Sequence, residues 1–209
     1  MLRESFLSRN PLHFHINPLV SAYIISESFM WSAWNFVLPI FAIFVVQEVA
    51  GATVQTAATG YSIYLLSRVA AELVSGKILA STTDRKKVGM VIIGMSLISI
   101  AYLGFVFTSN FYQLFLFYFL SGIGIGLNAP AKNSLFAMHL DKNKEATEWS
   151  ISDAFQFFSM AIATTVGGFI ALKFGFKPLF LLALVVNCLA ILPYLFYLTR
   201  TSTGEKKIV

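Results

Sequence analysis

At 209 residues, 57% hydrophobic and only 12% charged, this chain has too few charges to solvate a globular surface, where about 25% is usual. Its 21 Phe and mean hydropathy of +0.74 make lipid the expected solvent. The net charge of +5 does not argue for a nucleic-acid partner, because the cations sit mainly in loops and tails, where membrane topology would place them.

Residues 1–17 read as a polar N-terminal tail carrying Arg3, Glu4, Arg9 and Pro11. The apolar run that follows is too long for the core of a signal peptide, so the first span is expected to stay in the mature protein. A membrane helix needs about 20 apolar residues. Six runs meet that length, at 18–46, 57–80, 88–107, 111–138, 151–174 and 178–198. None shows the alternation of a membrane barrel. The expected fold is an all-α membrane protein, a six-helix bundle over 18–198 with a C-terminal tail at 199–209.

The connections differ in charge. Between the second and third runs lies a tight basic hinge, with Gly76 and Lys77 leading into Asp84, Arg85, Lys86 and Lys87. Placed in the cytoplasm, it shares that side with Arg3, Arg9, Lys142, Lys144, Arg200, Lys206 and Lys207, against Lys173 and Lys177 on the other. That bias predicts an inner-membrane protein with both termini cytoplasmic. Only Arg68 and Lys132 remain, and both fall within spans.

Intramembrane charges cost a few kcal/mol or more and are expected to face protein or water. The third and sixth spans hold no ionisable residue, so they are expected to form the lipid-facing pair around an inner four. On the first span, Glu27, Trp31 and Asn35 recur at i, i+4, i+8 and share one helical face. The stripe suits a polar or cationic ligand or a proton, and equally suits helix–helix contact. Pro39 is expected to kink this span. On the second, Arg68 and Glu72 form a local i, i+4 pair, unless Glu27 competes for the guanidinium. Counted from the hinge side, Glu27 is about 9 residues deep and Arg68 about 12, roughly 13 and 18 Å, so the two could meet.

On the fourth span, Gly122 and Gly126 form a close-packing G-x-x-x-G, while Gly124, Asn128 and Lys132 form a second stripe that Pro130 is expected to interrupt. On the fifth, Asp153 lies at a depth similar to Lys132, which suggests a Lys132–Asp153 pair, and Gln156 follows it. The glycines do not follow a strand, so they are no phosphate loop. No His lies within a span to serve Ser121 as a base, so no enzymatic site is expected. The lone Cys188 excludes an intrachain disulfide, and His13, His15 and His139 read as exposed tail or loop residues. No metal or cofactor is expected.

The basic hinge after the second span, the Gly-Ile-Gly-x-Gly…Pro run on the fourth, Gly167-Gly168 on the fifth and the turn at 174–178 together resemble the N-terminal six-helix half of a major facilitator superfamily transporter. The resemblance covers essentially the whole chain. It implies alternating access, in which two six-helix halves rock about a cavity lined mainly by the first and fourth spans. Glu27, Trp31, Asn35, Asn128 and Lys132 would then line the cavity, with Glu27 as a proton-coupling site. Arg68, Glu72, Asp153 and Gln156 would support or gate it. The hinge departs from the family pattern: Ser81 and Thr82 stand near its usual acid and base, and Asp84 stands where its second Gly would be. Tyr118 stands near the usual fourth-span Arg. A gate built on that acid and a coupling step built on that Arg are therefore not carried over.

Family members ordinarily have twelve spans. The expected partners are thus the lipid bilayer, a small-molecule substrate and a second six-helix half, either a copy of this chain or a separate one, unless the chain is a truncated copy. The rival reading is a non-transporting remnant acting as a membrane subunit or scaffold.

Overall fold

In the computed structural model, residues 17–205 are described, with side chains through Thr199. The tail residues Arg3, Arg9, His13, His15, Lys206 and Lys207, and the side chain of Arg200, lie outside the described residues. Seven helices follow in order: α1 (Pro18–Val37), α2 (Phe41–Glu48), α3 (Val54–Leu79), α4 (Asp84–Val106), α5 (Phe111–His139), α6 (Glu145–Phe174) and α7 (Phe176–Glu205). Among the described residues there is no strand, only an isolated bridge between Ala50 and Asn110.

Local chemistry fixes the helix ends. The Asn17 side chain accepts from the Leu19 N–H at 2.9 Å, and Pro18 supplies the preset first position of α1. Thr53 and Thr56 cap each other reciprocally at the start of α3, and Asn110 accepts from the Gln113 N–H to start α5. Gly175, at φ +84°, ends α6 in a conformation that disfavours a side chain.

The two intramembrane prolines of the first and fourth spans behave differently. At Pro39 the helix breaks into a 3-10 turn, Leu38–Ile40, which separates α1 from α2. At Pro130 the expected interruption does not occur, and α5 runs unbroken. Proline removes the donor that would serve the carbonyl four residues earlier, that of Gly126. The Ser75 hydroxyl of α3 donates to that carbonyl at 2.7 Å, so the freed acceptor becomes an interhelical tie.

Five segments are long and apolar enough to cross a membrane among the described residues: Pro18–Glu48, Asp84–Val106, Phe111–His139, Glu145–Phe174 and Phe176–Thr199. The second run of the sequence reading, 57–80, corresponds to α3, which is 26 residues long but diluted by Arg68, Glu72 and several hydroxyls.

Close neighbours follow the order α3, α5, α4, α7, α1, α6. This leaves α3 and α6 as the two flanks of an arc. Burial therefore differs from the expected outer pair. The third span, α4, is among the most buried, at 56% of its apolar window, and α6 is the least, at 11%. Absence of charge on α4 beyond its first turn reflects a crowded position between α5 and α7, and α6 is bare because it packs mainly on α1.

Glycines set the close approaches. A Cβ at Gly126 would fall 2.6 Å from the Arg68 carbonyl of α3. One at Gly94 of α4 would fall 2.5 Å from the Gly124 carbonyl of α5. Successive glycines of α5 thus admit α3 on one side and α4 on the other. Away from the hinge, Phe41, Phe44, Phe105, Tyr118 and Phe180 pack with ring centroids 4.8–5.8 Å apart. That contact range suits aromatic pairs.

The loops sort by end. The Ala50 N–H donates to the Ser109 carbonyl at 3.0 Å, tying the loop after α2 to the loop after α4. At the other end Asp84 pairs with His139 at 3.2 Å, so the basic hinge and the loop after α5 lie together.

Candidate functional site

The polar stripes of α1 and α5 meet inside the arc. Lys132 Nζ donates to Glu27 Oε1 at 2.5 Å, and the two side chains are only 5% and 4% exposed. The Trp31 indole N–H donates to the other carboxylate oxygen at 3.0 Å, one turn further along α1. The ammonium also lies 5.9 Å from the Trp31 ring centroid, within reach of its π face. Glu27 is thereby held by a cation and a neutral donor, and the cation rests between a carboxylate and an aromatic ring. Such pairing is what makes two buried charges tolerable.

Met30 joins the cluster. Asn128 Nδ2 donates to its sulfur at 3.3 Å, and Lys132 lies 3.7 Å from the same sulfur. Asn128 is fully buried, and its Oδ1 has no hydrogen-bond partner among the described residues. Asn35 spends its amide donor on the Trp31 carbonyl of its own helix at 2.9 Å. Four of the five predicted cavity residues, Glu27, Trp31, Asn128 and Lys132, thus meet at one interface, and all but the half-buried Trp31 are closed within it; Asn35 is buried but bonds only within α1. The open grooves run beside them: one of about 360 Å³ between α1 and α6, another of about 330 Å³ between α1 and α7.

The predicted Lys132–Asp153 pair does not form. Lys132 is taken by Glu27, and α6 packs on α1 rather than on α5, which leaves Asp153 exposed and Gln156 half-buried. Nor does Glu27 share Arg68. The Arg68 guanidinium binds Glu72 through Nε at 2.8 Å, with both side chains about a third exposed. The local i, i+4 reading of that pair is the one observed.

The hinge has structure of its own. Gly76 is half-buried near the end of α3, and Arg85 and Lys86 are exposed. Lys87 turns inward, donating to Ser134 Oγ at 2.9 Å and Met138 Sδ at 3.0 Å. His139, expected as an exposed loop residue, instead ends α5. Its Nε2 faces Asp84 at 3.2 Å and its Nδ1 the Leu135 carbonyl at 2.8 Å. The hinge is clasped to the end of α5 within the same chain.

Other polar groups were given no role from the sequence. Asn187 donates to the Met95 carbonyl and to Ser99 Oγ, and Ser26 donates to the Ala190 carbonyl at 2.7 Å, joining α7 to α4 and α1. Glu148, nearly fully buried, accepts the Asp141 N–H at 3.0 Å and orders the loop before α6. The signal for the last was its place in the first turn of a helix, where a carboxylate favours exposed N–H groups.

A bundle of long apolar helices with paired charges sealed between two of them defines a multi-pass membrane protein. The chain matches the family model of the Major Facilitator Superfamily over residues 23–208 and belongs to that family, whose members are transporters. Among curated proteins, none matches the chain.

Proposed function

We propose that this protein is a secondary active transporter, or one half of one, that moves a small solute by alternating access. The observation that carries this reading is the Glu27–Lys132–Trp31 cluster, buried where α1 and α5 meet, in a chain of a transporter family. A scaffold has no use for costly buried charges that a hydrophobic pair could replace. A carboxylate sharing its charge with one ammonium can exchange it for a proton, and the freed Lys132 then recruits another anion. Glu27 is therefore the proposed coupling site. Trp31 offers an aromatic face and Asn128 Oδ1 an unused acceptor to a solute with a donor.

In this reading α3 also crosses the membrane, which makes six spans, the hinge and the loop after α5 lie in the cytoplasm, and both termini do too. The inner membrane surrounds the bundle. A second six-helix half closes the cavity. Arg68–Glu72 and Asp153 with Gln156 then flank its mouth and act as gates.

The test is thermal unfolding of the purified full chain in detergent against a panel of amino acids, sugars and amphiphilic amines. A solute at 100 times its Kd stabilises by about 2.7 kcal/mol. One panel member is expected to raise Tm for the native chain and to lose that effect in Asn128→Leu. No shift across the panel favours the rival, a non-transporting membrane subunit.

A further inference from the structure

Among the described residues, charge within the apolar runs is paired except at one place. Glu27 binds Lys132, and Arg68 binds Glu72. Asp153 is exposed on α6, inside the run 151–174, and makes no hydrogen bond or ion pair among the described residues. A carboxylate there calls for a cation, and hydrocarbon offers none. Lys132 is taken, and Arg68 stands on the far flank, α3, which does not pack on α6.

The surroundings of Asp153 are built from three helices. Trp149, one turn nearer the hinge on the same face of α6, is 39% exposed. Its ring meets Phe136 of α5 in a T-shaped contact at 4.6 Å, and Phe136 stacks on Tyr23 of α1 at 4.1 Å. The Tyr23 hydroxyl donates to Asn133 Oδ1 of α5 at 3.3 Å and lies within electrostatic reach of the Asp153 carboxylate. Asn133 is itself exposed. Counted from the hinge ends of their helices at the helical rise, Trp149, Tyr23, Asn133 and Asp153 lie about 6, 8, 9 and 12 Å deep. Tyr23 precedes Glu27 by one turn of α1, so the group sits on the hinge side of the buried cluster.

The parts differ in what they offer. Asp153 carries a charge that no ion pair neutralises, Tyr23 Oη and Asn133 Oδ1 each keep a lone pair, and Trp149 presents an exposed indole. A protonated primary amine brings the complement: three N–H donors on one positive charge, and an apolar body for the aromatic ring. A carboxylic acid is repelled by Asp153, and an alcohol leaves it without a counter-charge. We propose that Asp153, Trp149, Tyr23 and Asn133 form a binding site for a protonated organic amine at the hinge-side approach to the Glu27–Lys132 cluster. The proposal rests on the transporter reading and names its class of solute.

The test is equilibrium dialysis of the full chain, in mild detergent near neutral pH, against phenethylamine, with phenethyl alcohol and phenylacetate as its neutral and anionic counterparts. The amine should bind saturably, and the alcohol and the acid about tenfold more weakly or worse. Asp153→Asn should raise the Kd of the amine about tenfold or more, Trp149→Leu about threefold or more, and Asp153→Glu should restore binding to within about threefold of the native value. Asp153 is exposed and bonds to nothing within the described chain, so the ligand-free Asp153→Asn variant should match the native Tm. A native chain that does not bind the amine, or binds it no better than the alcohol, overturns the proposal. So does an Asp153→Asn variant that binds like the native chain. The transporter reading fails separately. A chain that binds the amine and carries no solute into vesicles refutes only transport, and one that carries another solute without binding the amine refutes only this site.

Discussion

At the scale of single residues, the account stands on Glu27 and Lys132. Removing one partner leaves the other charge buried and uncompensated, which costs about 3–5 kcal/mol in comparable pairs. Lys132→Met should therefore destabilise the protein by an amount in that range, read from denaturant unfolding in detergent. Adding Glu27→Gln should recover a good part of the loss, because it removes the orphaned carboxylate. A double variant as unstable as the sum of the singles would mean the two charges are not coupled. By contrast Arg68 and Glu72 are each about a third exposed, so Glu72→Gln should cost under about 1 kcal/mol by the same measurement. The candidate residues themselves were legible in the sequence, since ionisable and amide groups inside apolar runs announce themselves. Their pairing was not. Glu27, Arg68, Lys132 and Asp153 lie within about two helical turns of one depth, so helical rise permits several pairings. Which one forms depends on which helices touch, and α6 turned out to sit beside α1 and away from α5. Met30 stayed invisible because nothing in an apolar run marks a methionine as a polar contact.

Between elements, the bundle is held by substitutions for missing groups. The Gly126 carbonyl, freed by Pro130, depends on Ser75 of α3. Ser75→Ala should cost about 1–3 kcal/mol, the penalty of an unsatisfied buried acceptor. In a Pro130→Ala background the helix regains its own donor, and the same Ser75→Ala change should cost markedly less. Equal costs in both backgrounds would detach the serine from the proline. The glycines offer a second contrast. Gly126→Ala forces a Cβ to within 2.6 Å of backbone on α3 and should destabilise by about 1–3 kcal/mol, whereas Gly168, with nothing within 4 Å, should accept Ala at little cost. Thermal unfolding of the two variants side by side distinguishes them. The G-x-x-x-G face and the kink at Pro39 were readable from spacing alone. That Pro130 leaves its helix intact was not, because the rescue comes from a hydroxyl 55 residues earlier in the chain.

For the molecule as a whole, six apolar runs and a basic hinge outlined the helices, and the family match supplies the transporter class. The order of neighbours lay beyond the sequence. Charge-free runs suggested a lipid-facing third span, yet α4 is wedged between α5 and α7. Apolar composition serves a crowded interior and a lipid surface equally well, so hydropathy alone does not separate them. The central claim is that the buried α1–α5 cluster couples a proton to solute movement. The most direct measurement is uptake of a panel of amino acids, sugars and amphiphilic amines into reconstituted vesicles under an imposed pH gradient, comparing the native chain with Glu27→Gln. The account predicts a solute whose accumulation follows the gradient in the native protein and is lost in the variant. Uptake equal in both proteins at every gradient, or no uptake of any solute by the native chain, would contradict it.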